Sequence, residues 1–153
     1  MWRSLILASA LALLMTTSMV PGAAATACPP TKPDMLGPFY TPNAPQRSRT
    51  GEGLTVHGAV RSTRECKPVP GATLEWWSAN PKGEYDDAHR ATQVTDVQGS
   101  FRYVTAMPGR YPGRPVHLHV KVTAPGHRAL VTQLYPKAGQ REMAFDFVLE
   151  PGS

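Results

Sequence analysis

The sequence has 153 residues, a formal net charge of +5 and two cysteines. This length suits a single domain with one hydrophobic core. The basic residues are scattered along the chain and do not alternate with aromatic residues, so the sequence does not favour a nucleic-acid partner. A modest positive charge is better suited to attracting small anions.

The N-terminus has the pattern of a secretory signal peptide. Arg3 lies in a short positive start, residues 5–15 are apolar, and Ala25-Thr26-Ala27 is a small-x-small cleavage site. The apolar run is too short to cross a bilayer as a helix. We therefore predict a signal peptide over residues 1–27, an exported chain in the periplasm or outside the cell, and no membrane span.

Cys28 and Cys66 are the only cysteines of the sequence and have two interpretations. In an oxidising compartment they favour one disulfide that ties the start of the mature chain to a loop. Alternatively, Cys28 is a lipid-modified N-terminal residue that anchors the exported chain. Ala25 stands where such sites usually have a leucine-like residue, and the sequence leaves both interpretations open.

Proline is frequent in residues 28–50, so this segment cannot form a regular sheet or a long helix. We predict an irregular N-terminal arm that lies across the domain. Within it, Gly37-Pro38-Phe39-Tyr40 is an apolar patch that either packs on the core or covers a site.

Residues 51–153 predict an all-β, antiparallel β-sandwich. Short alternating segments are separated by turn signals about every ten residues, and no window after the signal peptide has a sustained helical period. A turn at residues 80–83 is followed by a segment that starts at Glu84, for which we predict no specific secondary structure. The predicted strands are 54–61, 72–78, 100–105, 116–123, 129–135 and 144–149.

His117 and His119 form a His-x-His motif within one predicted strand. Successive side chains of a strand point to opposite faces, so both imidazoles share a face and Leu118 takes the other. Pro115 cannot donate a hydrogen bond to a sheet, so the strand is predicted to begin at about Val116. The pair is either a metal site or a pair of histidines in cross-strand hydrogen bonds.

Tyr85 and Tyr111 are the other candidate ligands. A tyrosine at a strand end commonly packs its ring and leaves its hydroxyl in water. With two histidines beside them, however, two phenolates form a donor set that suits Fe(III), because phenolate is a hard anion and imidazole accepts many transition metals.

The order of the motifs resembles the intradiol ring-cleavage dioxygenases, the family of the catechol 1,2- and protocatechuate 3,4-dioxygenases. The most specific part is Arg-Pro-x-His-x-His, which occurs together with both tyrosines, and the Gly-Pro-Phe-Tyr patch is similar to the N-terminal signature of the family. The matching segments are 58–60, 70–72, 75–80, 83–85, 95–99, 108–111, 114–119 and 132–135.

This resemblance implies a transthyretin-like, intradiol dioxygenase-like β-sandwich that holds one non-haem Fe(III) per chain. Tyr85, Tyr111, His117 and His119 match the metal ligands of the family, with Tyr111 as the axial ligand that is displaced. Two further positions match residues at the substrate: Arg114 corresponds to the arginine beside it, and Gln133 corresponds to the glutamine near the iron.

The implied reaction joins a catechol-type substrate and O2. The ring opens between its two hydroxylated carbons, both oxygen atoms enter the product, and a cis,cis-muconate-type diacid results. Tyr111 takes one catechol proton, and Arg114 stabilises negative charge on the ring. Only five residues separate Tyr111 from His117, so the loop is short and we expect an open pocket that accepts bulkier catechols.

The alternative is a non-catalytic binding module. Pro-x-Pro-Gly-Ala, Thr-Asp-x-x-Gly-x-Phe and Pro-Gly-x-Tyr also occur in transthyretin-like and carboxypeptidase-regulatory-like sandwiches, which hold no metal. Such modules do not need Arg114 and the two histidines together with Tyr85, and this combination favours the enzyme. A homo-oligomer is compatible with the sequence.

Overall fold

The computed structural model describes residues 28–152. The predicted signal peptide, residues 1–27, lies outside the described residues, so it stays a prediction. Within the described range all regular elements are strands, and no helix there is long and apolar enough to cross a membrane. The strands are β1 (Leu54–Ser62), β2 (Thr73–Ala79), β3 (Tyr85–Val94), β4 (Ser100–Thr105), β5 (Leu118–Thr123), β6 (Leu130–Leu134), β7 (Glu142–Ala144) and β8 (Phe147–Leu149).

The strands form two four-stranded sheets. One sheet, here called the first sheet, has the order β4-β1-β7, and β8 pairs with β1 beyond β7. The second sheet has the order β3-β2-β5-β6, and all of its pairs are antiparallel. Because β7 and β8 run parallel to β1, the first sheet is mixed. The predicted all-β sandwich is confirmed, with this parallel pairing as an addition.

Two strand predictions differ from the structure. β3 extends over ten residues from Tyr85, but most of its side chains are exposed or half-buried, so it lacks the apolar alternation that identifies a strand. The predicted strand 144–149 is divided into β7 and β8. At the division, the Asp146 carboxylate accepts a hydrogen bond from the Ala59 amide at 2.8 Å and replaces a backbone partner of β1.

The hydrophobic core lies between the sheets and is built on aromatic side chains. Trp76 of β2 stacks on Tyr103 of β4 with ring centroids 4.6 Å apart, and Phe147 of β8 meets the edge of Trp76 at 6.0 Å. All three side chains are almost completely buried. Since they come from three strands in both sheets, this cluster holds the sandwich together.

Cys28 and Cys66 are joined in a disulfide, with their Cα atoms 5.3 Å apart. The disulfide interpretation of the sequence is confirmed. A lipid on Cys28 would be attached through the same sulfur, so the disulfide excludes it in this structure. The bond connects the start of the N-terminal arm to the turn that follows β1.

The N-terminal arm, residues 28–50, passes over the outer face of the second sheet. The Asp34 amide donates to the Val131 carbonyl at 2.9 Å, and the Thr132 hydroxyl donates to the Lys32 carbonyl at 2.9 Å. Further along, the Arg47 amide donates to the carbonyl of Thr92 in β3 at 3.0 Å. The arm therefore covers this sheet from β6 to β3.

Candidate metal centre

Four side chains converge at one end of the second sheet. The Nε2 atoms of His117 and His119 lie 3.0 Å apart, and the Tyr85 hydroxyl lies 3.3 and 3.1 Å from them. The Tyr111 hydroxyl lies 3.2 Å from Nε2 of His117 and 3.5 Å from the Tyr85 hydroxyl. The structure thus brings together all four residues that the sequence predicts as ligands.

The two histidines are placed by the start of β5. His119 lies within the strand, but β5 begins at Leu118, two residues later than predicted. His117 therefore precedes the sheet. Its Nδ1 lies 2.7 Å from the Pro115 carbonyl, an acceptor that requires a proton on Nδ1. This hydrogen bond leaves the lone pair of Nε2 directed at the other donors.

Tyr85 is placed by the turn between β2 and β3. The side-chain oxygen of Asn80 accepts hydrogen bonds from the amides of Lys82 and Glu84, at 2.9 and 3.1 Å. This arrangement is typical of a turn organised by asparagine. The turn brings Tyr85 back opposite Ala79, after a register shift in β2, so the phenol faces the end of β5.

Tyr111 lies on a loop that packs against the same turn. The Gly109 amide donates to the Asn80 carbonyl at 2.9 Å. Gly83 has a φ of +86°, and a side-chain carbon there would overlap the Arg110 carbonyl. The glycine thus permits both the turn and the close approach of the loop. Contact between turn and loop sets the two tyrosines side by side.

The histidines are poised as neutral ligands. Burial lowers the pKa of His117. Burial and the neighbouring His117 lower the pKa of His119 to about 4, against a smaller opposing effect of the Met35 carbonyl. Both imidazoles are therefore uncharged at neutral pH. The pKa of Tyr85 is raised by burial and by Tyr111, so its phenolate form needs a cation beside it.

The donor set fits Fe(III). Ligand atoms bonded at about 2.1 Å to one ion and at right angles to each other are roughly 3 Å apart, which is close to the separations found here. No group of three or more His, Cys, Asp or Glu side chains suited to a metal occurs among residues 28–152. The two tyrosines are consequently essential to the set, and phenolate oxygen with imidazole nitrogen is a combination suited to ferric iron.

Arg114 and Gln133 adjoin the four donors. Arg114 Nη2 donates to Gln133 Oε1 at 2.5 Å, and Gln133 Nε2 donates to the Met35 carbonyl at 2.7 Å. Arg114 is half-buried, and its positive charge acts on both histidines and on Tyr85. The resemblance predicts Arg114 beside the substrate and Gln133 near the metal. In the structure Gln133 lies opposite His119 in the pairing of β5 with β6, and Arg114 is hydrogen-bonded to it.

A polar network that the sequence did not reveal continues from Gln133 to the arm. The Tyr135 hydroxyl lies 2.7 Å from an oxygen of Asp34 and 3.0 Å from Gln133 Oε1. The hydrogen bond from Tyr135 lowers the pKa of Asp34, and the nearby charge of Arg114 adds to this effect. Asp34 is thus a carboxylate at neutral pH, and it fixes Tyr135 beside Gln133.

Two aromatic contacts to the predicted ligands were also missed. Phe39 of the arm stacks on Tyr85 with centroids 4.2 Å apart and planes 16° from parallel. Trp77 of β2 stacks on His119 at 4.8 Å and 7°. The apolar patch around Phe39 was a signal for the first contact. The contact of Trp77 with His119 had a weaker signal in the sequence. Trp76 and Trp77 are adjacent in β2, so only one of them can face the core and the other must lie on the outer face.

Comparison with known proteins finds dioxygenases. A family described as "Dioxygenase" matches residues 41–114, which include Tyr85, Tyr111 and Arg114. The chain is 32% identical over 134 aligned positions to "Catechol 1,2-dioxygenase" of Pseudomonas sp. (strain EST1001), covering 64% of this chain and 44% of the relative. It is 29% identical over 152 positions to "6-chlorohydroxyquinol 1,2-dioxygenase" of Cupriavidus pinatubonensis, covering 77% and 54%. The chain spans about half the length of these curated relatives.

One solved structure matches over nearly its own full length. It is the dioxygenase domain of a dioxygenase–carbohydrate-binding protein fusion from the cellulolytic bacterium Streptomyces sp. SirexAA-E. The TM-score is 0.73 with 38% sequence identity, and the match covers 80% of this chain and 99% of that domain. A sandwich of this size therefore occurs as a dioxygenase domain without the additional length of the curated relatives.

Proposed function

Because this chain belongs to the intradiol ring-cleaving dioxygenase family, we propose that it is a non-haem Fe(III) enzyme that opens a catechol-type ring between its two hydroxylated carbons. The observation that carries the proposal is the convergence of two phenol oxygens and two imidazole nitrogens within 3.5 Å. A binding module has no use for this set at the end of one sheet.

In this proposal Tyr85, Tyr111, His117 and His119 hold the ion. Fe(III) held by these residues would supply a Lewis acid and an electron acceptor for a catechol-type substrate. The chain contributes neutral histidines and two phenols whose ionisation balances part of the ferric charge. O2 is the oxidant, both of its atoms enter the cis,cis-muconate-type diacid, and no further reductant is needed.

The position of Tyr111 suits a proton acceptor. Tyr85 belongs to a strand, whereas Tyr111 lies on the loop between β4 and β5, so Tyr111 can move with less disturbance of the fold. Its phenol oxygen, ionised while Tyr111 holds the metal, is the atom we assign to receive a proton from the incoming catechol and so return to the hydroxyl form. Positioned acid–base groups of this kind contribute typically 10²–10⁴-fold in rate.

Arg114 suits the stabilisation of negative charge. A guanidinium stays charged at any working pH and cannot act as the base. Its hydrogen bond to Gln133 holds the guanidinium beside the donors, and Gln133 is itself held by the arm through Met35. A preorganised cation in such a place acts on the charge that develops on the ring as O2 adds.

The surroundings of the donors suit a planar aromatic substrate. Phe39 is 45% exposed and Tyr135 is 44% exposed, so both present ring surface to solvent at the edge of the site. The loop between Tyr111 and His117 is short and has exposed residues at Pro112 and Gly113. These features support access for catechols with bulky substituents.

We also propose that the protein works outside the cytoplasm. The support is the disulfide between Cys28 and Cys66, since such bonds persist mainly in oxidising compartments. N-terminal sequencing of the protein recovered from the periplasm or medium tests this directly. A chain recovered only from the cytoplasm with its first residues intact would contradict it.

Turnover tests the main proposal. Iron-loaded protein is mixed with catechol, and O2 uptake is measured beside the ultraviolet absorbance of the diacid. We expect one O2 consumed for each diacid formed, with both atoms of ¹⁸O2 found in the product. A folded protein with a full complement of iron that consumes no O2 with catechol, chlorocatechol or hydroxyquinol would reject the enzyme in favour of the binding module.

A further inference from the structure

The two histidines of the centre are held in different ways. Nδ1 of His117 has a hydrogen bond to the Pro115 carbonyl at 2.7 Å. Nδ1 of His119 is buried and has no hydrogen-bond partner within residues 28–152. A hydrogen-bond interaction with the Met35 carbonyl raises the pKa of His119, but this carbonyl already accepts a hydrogen bond from Gln133 at 2.7 Å and lies outside the geometry of a full hydrogen bond to Nδ1. Metal-binding histidines almost always have such a bond, so another contact must orient His119.

Packing against Trp77 is the first such contact. Trp77 lies directly opposite His119 in the pairing of β2 with β5, and the two rings are 7° from parallel with centroids 4.8 Å apart. Trp77 is 2% exposed, and its indole nitrogen has no hydrogen-bond partner among the described residues. The indole ring therefore lies flat against the imidazole ring, and the indole itself is held in place only by packing.

The backbone of the arm is the second contact. A side-chain carbon at Gly37 would lie 3.0 Å from Cε1 of His119 and 3.5 Å from its Nε2. Gly37 also has a φ of +74°, a conformation that favours glycine. The arm thus approaches the imidazole as closely as a residue without a side chain permits.

Tyr40 supports Trp77 from the arm. The rings of Tyr40 and Trp77 have centroids 5.0 Å apart. The Tyr40 hydroxyl donates to Glu75 at 3.0 Å and accepts from Lys121 at 3.1 Å, and Lys121 and Glu75 form an ion pair at 3.2 Å. Tyr40 is therefore fastened to the sheet at its hydroxyl while its ring contacts the indole.

We propose that Trp77 is a positioning residue that sets the orientation of the His119 imidazole as a metal ligand, with Gly37 and Tyr40 completing the support. This inference rests on the proposed function, because it concerns a ligand of the proposed iron. The strand fixes the backbone of His119, but the second side-chain torsion of histidine is broad. The flat contact with Trp77 restricts that torsion where no hydrogen bond does.

The neighbouring tryptophan offers a matched control. Trp76 and Trp77 are adjacent in β2, equally buried and on opposite faces, since Trp76 stacks on Tyr103 in the core. Trp77→Leu and Trp76→Leu are compared as full-length, iron-loaded proteins. The measurements are the visible absorption band, the rate of iron release to a chelator and the thermal midpoint.

We expect Trp77→Leu to shift the band and to release iron roughly 10- to 100-fold faster, the cost typical of losing a group that orients a ligand. Trp77→Phe keeps a flat ring and should restore most of this difference. Trp76→Leu should lower the thermal midpoint and leave the band in place. Gly37→Ala moves a methyl group against the imidazole and should also shift the band. If Trp77→Leu does not fold, Gly37→Ala serves as the test, and Phe147→Leu replaces Trp76→Leu as the control.

Three results would overturn the inference. A Trp77→Leu protein with the band and iron release of the wild type rejects Trp77 as a positioning residue and leaves the proposed function intact. Equal spectral shifts in Trp77→Leu and in the core variant show general loosening of the fold and reject it as well. A wild-type protein that takes up no iron rejects both the inference and the proposed function.

Discussion

The outer face of the second sheet is covered by the N-terminal arm, whereas the outer face of the first sheet is largely open to solvent. On the second sheet, Trp77, His119 and Gln133 point outward and are still buried, because the arm lies over them. On the first sheet, Arg102 and Glu142 point into water. A segment without regular structure can thus bury side chains that lie outside the core.

The residues that stabilise the fold and the residues of the candidate site therefore lie in different places. Both sheets contribute to one apolar core, and no ionisable donor of the site is drawn from it. The side chains of the candidate metal centre all come from the covered end of the second sheet and its loops. Changes on the second sheet's outer face should therefore alter the metal site, while equivalent changes on the first sheet should not.

The largest expected effect is the loss of a ligand. His117→Ala should abolish stoichiometric iron binding, a greater loss than the roughly 10–100-fold cost of removing a supporting group. His57→Ala is the control, because His57 occupies the open face of the first sheet and pairs with Glu142 at 3.0 Å. Metal analysis after dialysis measures both. Equal iron content in the two variants would remove His117 from the ligand set.

The next effect concerns Arg114. Arg114→Ala should retain iron and its colour, still bind catechol, and lose roughly 10²–10³ in turnover, as expected when one preorganised charge is removed. Arg102→Ala on the open face removes an equal charge and should turn over at the wild-type rate. Steady-state rates with iron-matched samples measure the difference.

Two results would count against this role of Arg114. Turnover at the wild-type rate in Arg114→Ala would make Arg114 structural only. Loss of iron from the variant would show that Arg114 holds the ligand segment and does not act on the ring.

The disulfide connects the covered sheet to the open one, because it ties the arm over the second sheet to the turn after β1. Replacement of both Cys28 and Cys66 by Ser should lower the free energy of unfolding by about 2–4 kcal/mol. Iron content should remain, since the arm keeps its hydrogen bonds to β6 through Lys32 and Met35. Urea unfolding followed by tryptophan fluorescence measures the change. An unchanged midpoint would show that the bond adds no stability.

The smallest effect belongs to the first sheet. Burial opposes ionisation of Asp146, but hydrogen bonds from Arg61 and the Ala59 amide outweigh it and lower its pKa. A lowered pKa contributes stability that is present above about pH 4 and is lost as pH falls through the folded-state value. Because Arg61 and Asp146 are partly exposed, the contribution is about 1 kcal/mol or less.

Acid unfolding of Asp146→Asn tests this contribution. The variant should lose stability relative to the wild type near neutral pH, and the two proteins should converge at low pH. The iron band of the variant near neutral pH should equal that of the wild type. A constant difference at all pH values would assign the effect to packing and not to charge.

The sandwich could be predicted from short alternating segments between turns, and the candidate ligands from the His-x-His spacing together with the resemblance to the intradiol dioxygenases. His117 and His119 flank one residue of a strand, and the tyrosines and Arg114 occur in motifs of fixed order. The start of β5 was predicted two residues early, because the backbone bends at Val116 before the sheet begins; the hydrogen bond from His117 to the Pro115 carbonyl spans this bend.

The contacts that surround the ligands could not be predicted in the same way. Trp77 meets His119 across a strand pair, and Asp34 meets Tyr135 at a separation of 101 residues. Such contacts depend on how the sheets and the arm pack, which no local pattern contains. β3 was missed for a related reason, since an edge strand with few apolar residues has no alternation to detect.

Metal content and colour of the wild-type protein test the central claim most directly. Protein purified after growth with iron, or reconstituted with it, should contain about one iron per chain. It should also show visible absorption from charge transfer between the phenolates of Tyr85 and Tyr111 and Fe(III), and Tyr85→Phe and Tyr111→Phe should each alter this band. A colourless protein that is fully loaded with zinc and resists reconstitution with iron would contradict the proposed centre.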